Sequence, residues 1–269
     1  MKIIKTANEI KKILKDKKKI GFVPTLGSLH KGHVSLIKKS KNRKLFTVVS
    51  IFVNQLQFNN KKDFNRYPRP LDKDLNICKK NNVDCVFIPL QKEIYPEKKI
   101  YVRNKLPKFC NVMEGEFRPG HFNGVIEVVK RLLTIVKCHY LFLGIKDFQQ
   151  LILIKEFSKK NFRNLRIIPC ETIRDISGIA LSSRNQLLNS NEKEIGGDIY
   201  KFLKRNKINI IKNKNKNYFK KKIIELGATK VDYLECYNTS NFKKTLLPSK
   251  KARVFVAYFI REIRLIDNF

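Results

Sequence analysis

Two histidines three residues apart, His30 and His33, stand in the segment KIGFVPTLGSLHKGHVSLIKKSK. An apolar run there ends at Val23, Pro24 and Gly27 turn the chain, and a helix is expected to begin near His30–His33. The three-residue spacing puts both imidazoles on one face of a helical turn. Free N–H groups and the dipole at a helix start favour an anion, and two imidazole donors beside them suit a polyphosphate. Gly32, between them, would let a ligand come close. A His-x-x-His alone is equally a pair of packed histidines, and as a metal site it lacks a third ligand nearby. Nor is the segment a GxxxxGK[ST] loop or a GxGxxG fingerprint. What raises it is context: only 4 histidines occur in the chain, and two of them sit at this junction.

Other polar side chains also follow apolar runs. Asn54 and Gln57 lie in VSIFVNQLQF, Gly144, Ile145, Lys146, Asp147 and Gln150 in FLGIKDFQQ, and Ser182, Ser183 and Arg184 in LSSRNQLL. A side-chain amide can donate to a carboxylate or hydroxyl and accept from a hydroxyl or ammonium. A lysine or guanidinium neutralises phosphate charge. Taken singly, each is equally a loop glutamine, a solvated lysine or a capping aspartate. No Ser/His/Asp or Cys/His triad is evident, which fits chemistry that needs alignment and charge neutralisation rather than a protein nucleophile.

The elements that must position these groups alternate. Short apolar runs at Ile20–Val23, Phe46–Val53, Cys85–Ile88, Tyr140–Leu143 and Leu165–Pro169 read as strands covered on both faces. Helical spacing separates them: Val125, Val128, Val129, Leu132, Leu133 and Val136 form one stripe, read as packing against a sheet. This alternation predicts an α/β fold, a Rossmann-like doubly wound parallel sheet over residues 1–172, with ligands beyond the carboxyl ends of its strands. After about residue 172 the texture changes. A helix start at Ser190–Asn191 leads into a Lys/Asn-rich stretch (204–224) read as solvated helix with its connections. Strands are expected at Val231–Tyr237 and Ala252–Ile260, with a third at Arg264–Ile266. That pattern predicts a smaller α+β domain over 173–269, and no internal repeat is visible.

The chain has 269 residues, 42% of them hydrophobic, so it can bury a sizeable core. No apolar run approaches the ~20 residues that span a bilayer. The N-terminus MKIIKTANEIKKILKDKKK has no apolar centre of a signal peptide, so a cytoplasmic protein without a membrane partner is expected. The 6 cysteines lie seven or more positions apart, without zinc-ribbon spacing, and read as reduced thiols. Lys+Arg number 58 against 23 Asp+Glu, a net +35. Such an excess raises nucleic acid. The favoured reading is compositional drift: the excess is mostly lysine, crowded with Asn and Ile and spread along the chain, with no nucleic-acid motif visible.

The motifs PTLGSLHKGHVSLI, VVSIFVNQLQFNNKKDFNRYPRPLDKDL, RPGHFNGVIEVVKRLL, FLGIKDFQQLILI, LSSRNQLL and the terminal RLIDN occur in an order and spacing that resemble the pantothenate synthetase (pantoate–β-alanine ligase) family of the His-x-Gly-His nucleotidyl-transferase superfamily. The resemblance covers nearly the whole chain. It implies an ATP-dependent ligase that joins pantoate to β-alanine through a pantoyl-adenylate, releasing pyrophosphate and then AMP. By the same resemblance, Leu26, Gly27, Ser28, Leu29, His30, Lys31, Gly32 and His33 form the first ATP segment, with His33 as proton donor and His30 on phosphate oxygens. Gly144, Ile145, Lys146 and Asp147 form another, Lys146 on phosphate and Asp147 on the ribose. Leu181, Ser182, Ser183 and Arg184 would hold the leaving pyrophosphate, and Ile173 would line the adenine pocket. Gln57 would hold pantoate and border β-alanine, with Asn54 assisting, and Gln150 would hold pantoate. His121 is read as structural, and His139 has no assigned role. ATP chemistry implies Mg²⁺ on phosphate oxygens and water, with Asp72 or Asp74 as candidate helpers and no dedicated protein metal site. The resemblance also implies a homodimer, and a cleft that closes over the adenylate.

The chain departs from the family pattern in places. Leu26 and Leu181 stand where Met is usual, Gln55 where Pro is usual, Ile145 where Glu is usual, and Asn123 where Asp is common; Lys31 replaces an acidic or neutral residue. Gln55 is expected to loosen the loop before Gln57. Three other readings stay open: a His-x-Gly-His adenylyl transferase for another acid, an RNA-binding module on a synthetase-like core, and an inactive relative. The paired glutamines, the absence of an appended RNA motif and the intact polar residues weigh against them in turn.

Overall fold

A computed structural model describes residues 1–96 and 105–269. The chain divides into two compact units, Met1–Glu171 and Thr172–Phe269.

Among the described residues, the first unit holds a six-stranded parallel sheet of β1 (Lys2–Ile4), β2 (Ile20–Thr25), β3 (Phe46–Ile51), β4 (Cys85–Phe87), β5 (Tyr140–Gly144) and β6 (Arg166–Cys170), in the order β1-β4-β3-β2-β5-β6. Side chains alternate across the pleat. Phe22, Val48, Cys85, Phe87, Leu141 and Leu143 pack with Ile10, the Val125–Val136 stripe and Leu151 in one core. Their neighbours Val23, Val49, Val86 and Phe142 pack with Leu36, Ile37 and Cys78 in another. Each of β2 to β6 therefore feeds two apolar layers, which is why their runs are continuously apolar and helices cover both faces. The sequence order reverses between β2 and β5, so the loops that leave β2, β3 and β5 meet at the switch point.

Several boundaries differ from the sequence-based expectation. β1 is an added edge strand of three residues, too short and too near a charged terminus to stand out. β2 does not end at Val23 but runs through Pro24 to Thr25. Thr25 O accepts from Phe52 N on the β3 side, so Pro24 faces the β5 side, where pairing already stops at Phe22↔Leu141. A missing N–H costs no ladder bond there. β3 ends at Ile51 rather than Val53.

In the second unit, β7 (Lys230–Asn238), β8 (Ala252–Ile260) and β9 (Ile263–Asn268) form an antiparallel sheet. The Ser190–Arg205 helix, capped by Asn189 and Glu192, packs Ile199 and Leu203 on it. The Lys/Asn-rich stretch is not one solvated helix. It forms the short helices Lys207–Lys212 and Asn217–Glu225, which bury Ile210, Ile211, Phe219 and Ile223 in the same core. Adjacent Ile210 and Ile211 on the first helix, and Phe219 and Ile223 one turn apart on the second, supply the buried faces, while none of the lysines among them is buried.

All six cysteines are unpaired, and burial pushes the thiols of Cys78 and Cys85 up to about 12 and about 11, which keeps them protonated. Among the described residues no helix is long and apolar enough to cross a membrane.

Candidate active site

β2 ends at Thr25, whose Oγ1 donates to Ser50 O at 2.7 Å and accepts from Gly27 N at 3.1 Å. Gly27 and Ser28 both take left-handed backbone conformations, with φ of 79° and 53°. Asp74, buried on the Leu71–Lys80 helix, holds this turn: its two carboxylate oxygens accept from Ser28 N and Leu29 N, each at 2.7 Å. Burial raises its pKa against the opposing pull of those two N–H groups. Asp74 thus serves the loop, and Asp72 stands exposed on the same helix.

The Lys31–Lys41 helix then opens on its two histidines. His30 caps it, its Nδ1 accepting from Gly32 N at 3.1 Å, while His33 Nδ1 accepts from His30 N at 3.3 Å. The two rings thereby imitate a capping box with imidazole in place of hydroxyl and carboxylate. Their centroids are 4.1 Å apart. An Nδ1 that accepts places the ring proton on Nε2, so each neutral ring keeps an Nε2–H donor. Burial depresses both rings, and neighbouring Lys146 adds to it: His30 falls to about 2, helped also by His33, and His33 to about 4. Gly32 has a packing part. A Cβ there would sit 2.7 Å from His30 Cε1, so the missing side chain makes room for the His30 ring.

The loop after β3 is a short turn, Gln55–Gln57, capped by buried Asn54. Asn54 Nδ2 donates to Gly124 O at 3.0 Å and to Gln57 Oε1 at 3.4 Å, and its Oδ1 accepts from Tyr95 OH at 2.9 Å. Asn54 thus anchors the start of the turn that holds Gln55. Gly124 of the His121–Val136 helix lets the turn approach: a Cβ there would lie 2.3 Å from Leu56 O and 2.8 Å from Gln57 N. Because the obstacle is backbone, Gly124→Ala is expected to cost about 1–3 kcal/mol. Urea unfolding measures this, and an unshifted midpoint would refute the packing account.

After β5, Gly144 leads into Ile145–Asp147 and then the Phe148–Asn161 helix. A Cβ added at Gly144 would meet nothing within 4 Å. Ile145 packs against the apolar core, which accommodates its departure from an acidic residue. Lys146 Nζ lies 3.5 Å from Asp147 Oδ1. Lys146 acts electrostatically on His30 and His33, and Asp147 on His30 and His121, so the β2 and β5 loops share one neighbourhood. The two adjacent glutamines have separate tasks. Gln149 is buried, its Nε2 donating to Phe109 O at 2.7 Å and Val112 O at 2.8 Å, whereas Gln150 is half-buried on the opening turn.

In the second unit, Ile173 and Leu181–Arg184 belong to one piece. Leu181 N donates to Ile173 O at 2.9 Å, and Ser182 caps the short Ser183–Leu187 turn by accepting from Arg184 N. Arg174 braces this piece with a two-pronged pair to Asp267, at 2.6 and 2.9 Å. That contact accounts for the terminal RLIDN motif. His139 proves to be a strand cap: its Nδ1 accepts from Ile20 N at 3.2 Å.

Among the described residues no group of three or more His, Cys, Asp or Glu side chains could hold a metal ion.

Comparison with known proteins adds the following. The family described as pantoate-beta-alanine ligase matches residues 2–269. A pantothenate synthetase of Francisella tularensis subsp. novicida (strain U112) is 42% identical over 266 residues, 99% of this chain and 95% of that protein. The crystal structure of the Francisella tularensis pantoate-beta-alanine ligase, complexed with beta-gamma ATP and beta-alanine, is 41% identical with a TM-score of 0.87, covering 100% of this chain and 97% of that one. The pantothenate synthetase of Thermus thermophilus is 31% identical with a TM-score of 0.90, covering 100% of this chain and 99% of that one.

Proposed function

This chain belongs to the pantoate-beta-alanine ligase family, and on that premise we propose that it condenses pantoate with β-alanine at the expense of ATP through a pantoyl-adenylate, the step that yields pantothenate for coenzyme A. A pantoate carboxylate oxygen attacks the α-phosphorus and pyrophosphate leaves. The β-alanine amine then attacks the acyl carbon, loses a proton, and AMP leaves.

The observation that carries this reading is the pair of neutral imidazoles, each with Nδ1 engaged as acceptor and an Nε2–H donor left, beside Lys146 at a helix start. Their donors need no rearrangement to meet charge that builds on the departing phosphates. His33 donates from Nε2; a bound triphosphate would raise the pKa of its ring and make it a true proton donor. Lys146 and Arg184 neutralise phosphate, Asp147 accepts from the ribose, and Gly144 and Ile145 offer backbone to the nucleotide. Ile173 lines the adenine, and Leu181 belongs with Ser182, Ser183 and Arg184 to the segment that holds the leaving pyrophosphate. Gln57 and Gln150 hold pantoate. Mg²⁺, when bound with ATP, supplies charge neutralisation on the phosphates. Residues 1–172 bind ATP and pantoate and residues 173–269 form a lid, in a homodimeric cytoplasmic enzyme.

The test is exchange of labelled pyrophosphate into ATP without β-alanine. Exchange that requires pantoate, and that amino acids do not support, is the expected result. Absence of pantoate-dependent exchange in a folded preparation would remove the adenylate from the scheme.

A further inference from the structure

We propose that Arg118 and His121 are positioning residues for Gln57: together they clamp its backbone carbonyl and so set where its side-chain amide meets the acid substrate. This rests on the reading that Gln57 holds pantoate.

Gln57 O accepts from His121 Nδ1 at 2.8 Å and from Arg118 Nη2 at 3.0 Å. A carbonyl only accepts, so His121 must carry its proton on Nδ1. Its Nε2 is then an acceptor, and Arg118 Nη1 stands 3.3 Å from it. The same Nη1 lies 3.3 Å from Glu114 Oε2. His121 is thus locked in one tautomer by its two neighbours. Burial, with the guanidinium next to it, keeps the ring neutral, with its pKa lowered to about 3.

The clamp continues beyond Gln57. Glu114 N donates to Gln149 Oε1 at 3.2 Å, and Gln149 is the chain neighbour of Gln150. One polar chain therefore runs from the first proposed pantoate glutamine to the residue beside the second. At its other end Gln57 is steadied by Asn54, which donates to Oε1 and leaves the Nε2 protons for a ligand. A side chain held at its carbonyl and its amide oxygen has little freedom left, which is what tight recognition of a small carboxylate needs.

His121→Asn keeps an N–H near the position of Nδ1, His121→Leu removes it, and Arg118→Lys keeps the charge without the fork. The expected result is a KM for pantoate raised about 10- to 100-fold in His121→Leu and Arg118→Lys, with KM for ATP within about twofold of wild type. His121→Asn should recover most of the loss. Equal rises in both KM values, or no recovery in His121→Asn, would overturn the clamp in favour of a general structural role. If His121→Leu does not fold, Arg118→Lys decides by the same criterion. Gln57→Ala separates the two layers: an unchanged KM for pantoate there refutes the underlying assignment, whereas a raised value with normal His121→Leu and Arg118→Lys refutes the clamp alone.

Discussion

Replacing His33 with alanine is expected to slow pantothenate formation about 10²- to 10⁴-fold. Two functions are lost at once. The ring supplies a neutral Nε2–H donor, and its Nδ1 accepts from His30 N, which orients the cap of the Lys31–Lys41 helix. His33→Asn separates them, since an amide oxygen can stand in for Nδ1 but nothing replaces the Nε2–H. It should retain the loop and still show most of the rate loss. Single-turnover pyrophosphate release reads the chemical step, and wild-type turnover in either variant removes His33 from the mechanism. The same ring also sets an acid limit. Its pKa is lowered from 6.5 in the unfolded chain to about 4 in the fold, so the unfolded state binds the extra proton first. Its contribution to stability is complete above pH 6.5, is lost as pH falls to about 4, and changes little below that. At about 1.4 kcal/mol per pH unit this amounts to at most about 3.5 kcal/mol, reduced because the residue is only half-buried. A His33→Ala protein should therefore show a flatter decline of unfolding free energy between those pH values.

Asp74→Asn is expected to reduce turnover on the order of 10²-fold and stability by about 1–3 kcal/mol, although Asp74 is not proposed to touch substrate. Its two oxygens receive the N–H groups of Ser28 and Leu29 in the turn that leads to His30. An amide offers one oxygen and one NH₂, so one backbone N–H would face another donor inside a buried turn. With Gly27 and Ser28 in left-handed conformations, the turn depends on outside support. Loosening it displaces both imidazoles together. Urea unfolding and steady-state turnover measure the two effects, and an Asp74→Asn protein with wild-type turnover would show that the turn holds itself.

Much of this molecule could be read from one dimension. The apolar runs at β2 to β6 announced strands covered on both faces, because a parallel sheet between helix layers leaves no polar side to alternate with. The stripe from Val125 to Val136 announced a packed helix for the reason that helical spacing repeats on one face. His30 and His33 stood out because their spacing and their place after a strand are local properties. Ordered motifs likewise carried the family membership. The errors came where chain-local cues compete. Pro24 is a breaker by itself, yet the β5 ladder has already ended on its side. Lys and Asn dominate 204–224, yet four apolar residues there reach the core.

What only the tertiary structure decided are the partners that lie far apart along the chain. Asp74 reaches back 46 positions to Ser28, and His121 reaches 64 positions to Gln57. Gly124 is required by the backbone of Leu56, and Gln149 and Gln150, indistinguishable as letters, divide into an anchor and a half-buried amide. Periodicity and cap chemistry act over a few residues and are written in local order. Hydrogen bonds that immobilise a site depend on direction and distance in three dimensions, and those exist only once the sheet has brought its loops to one edge.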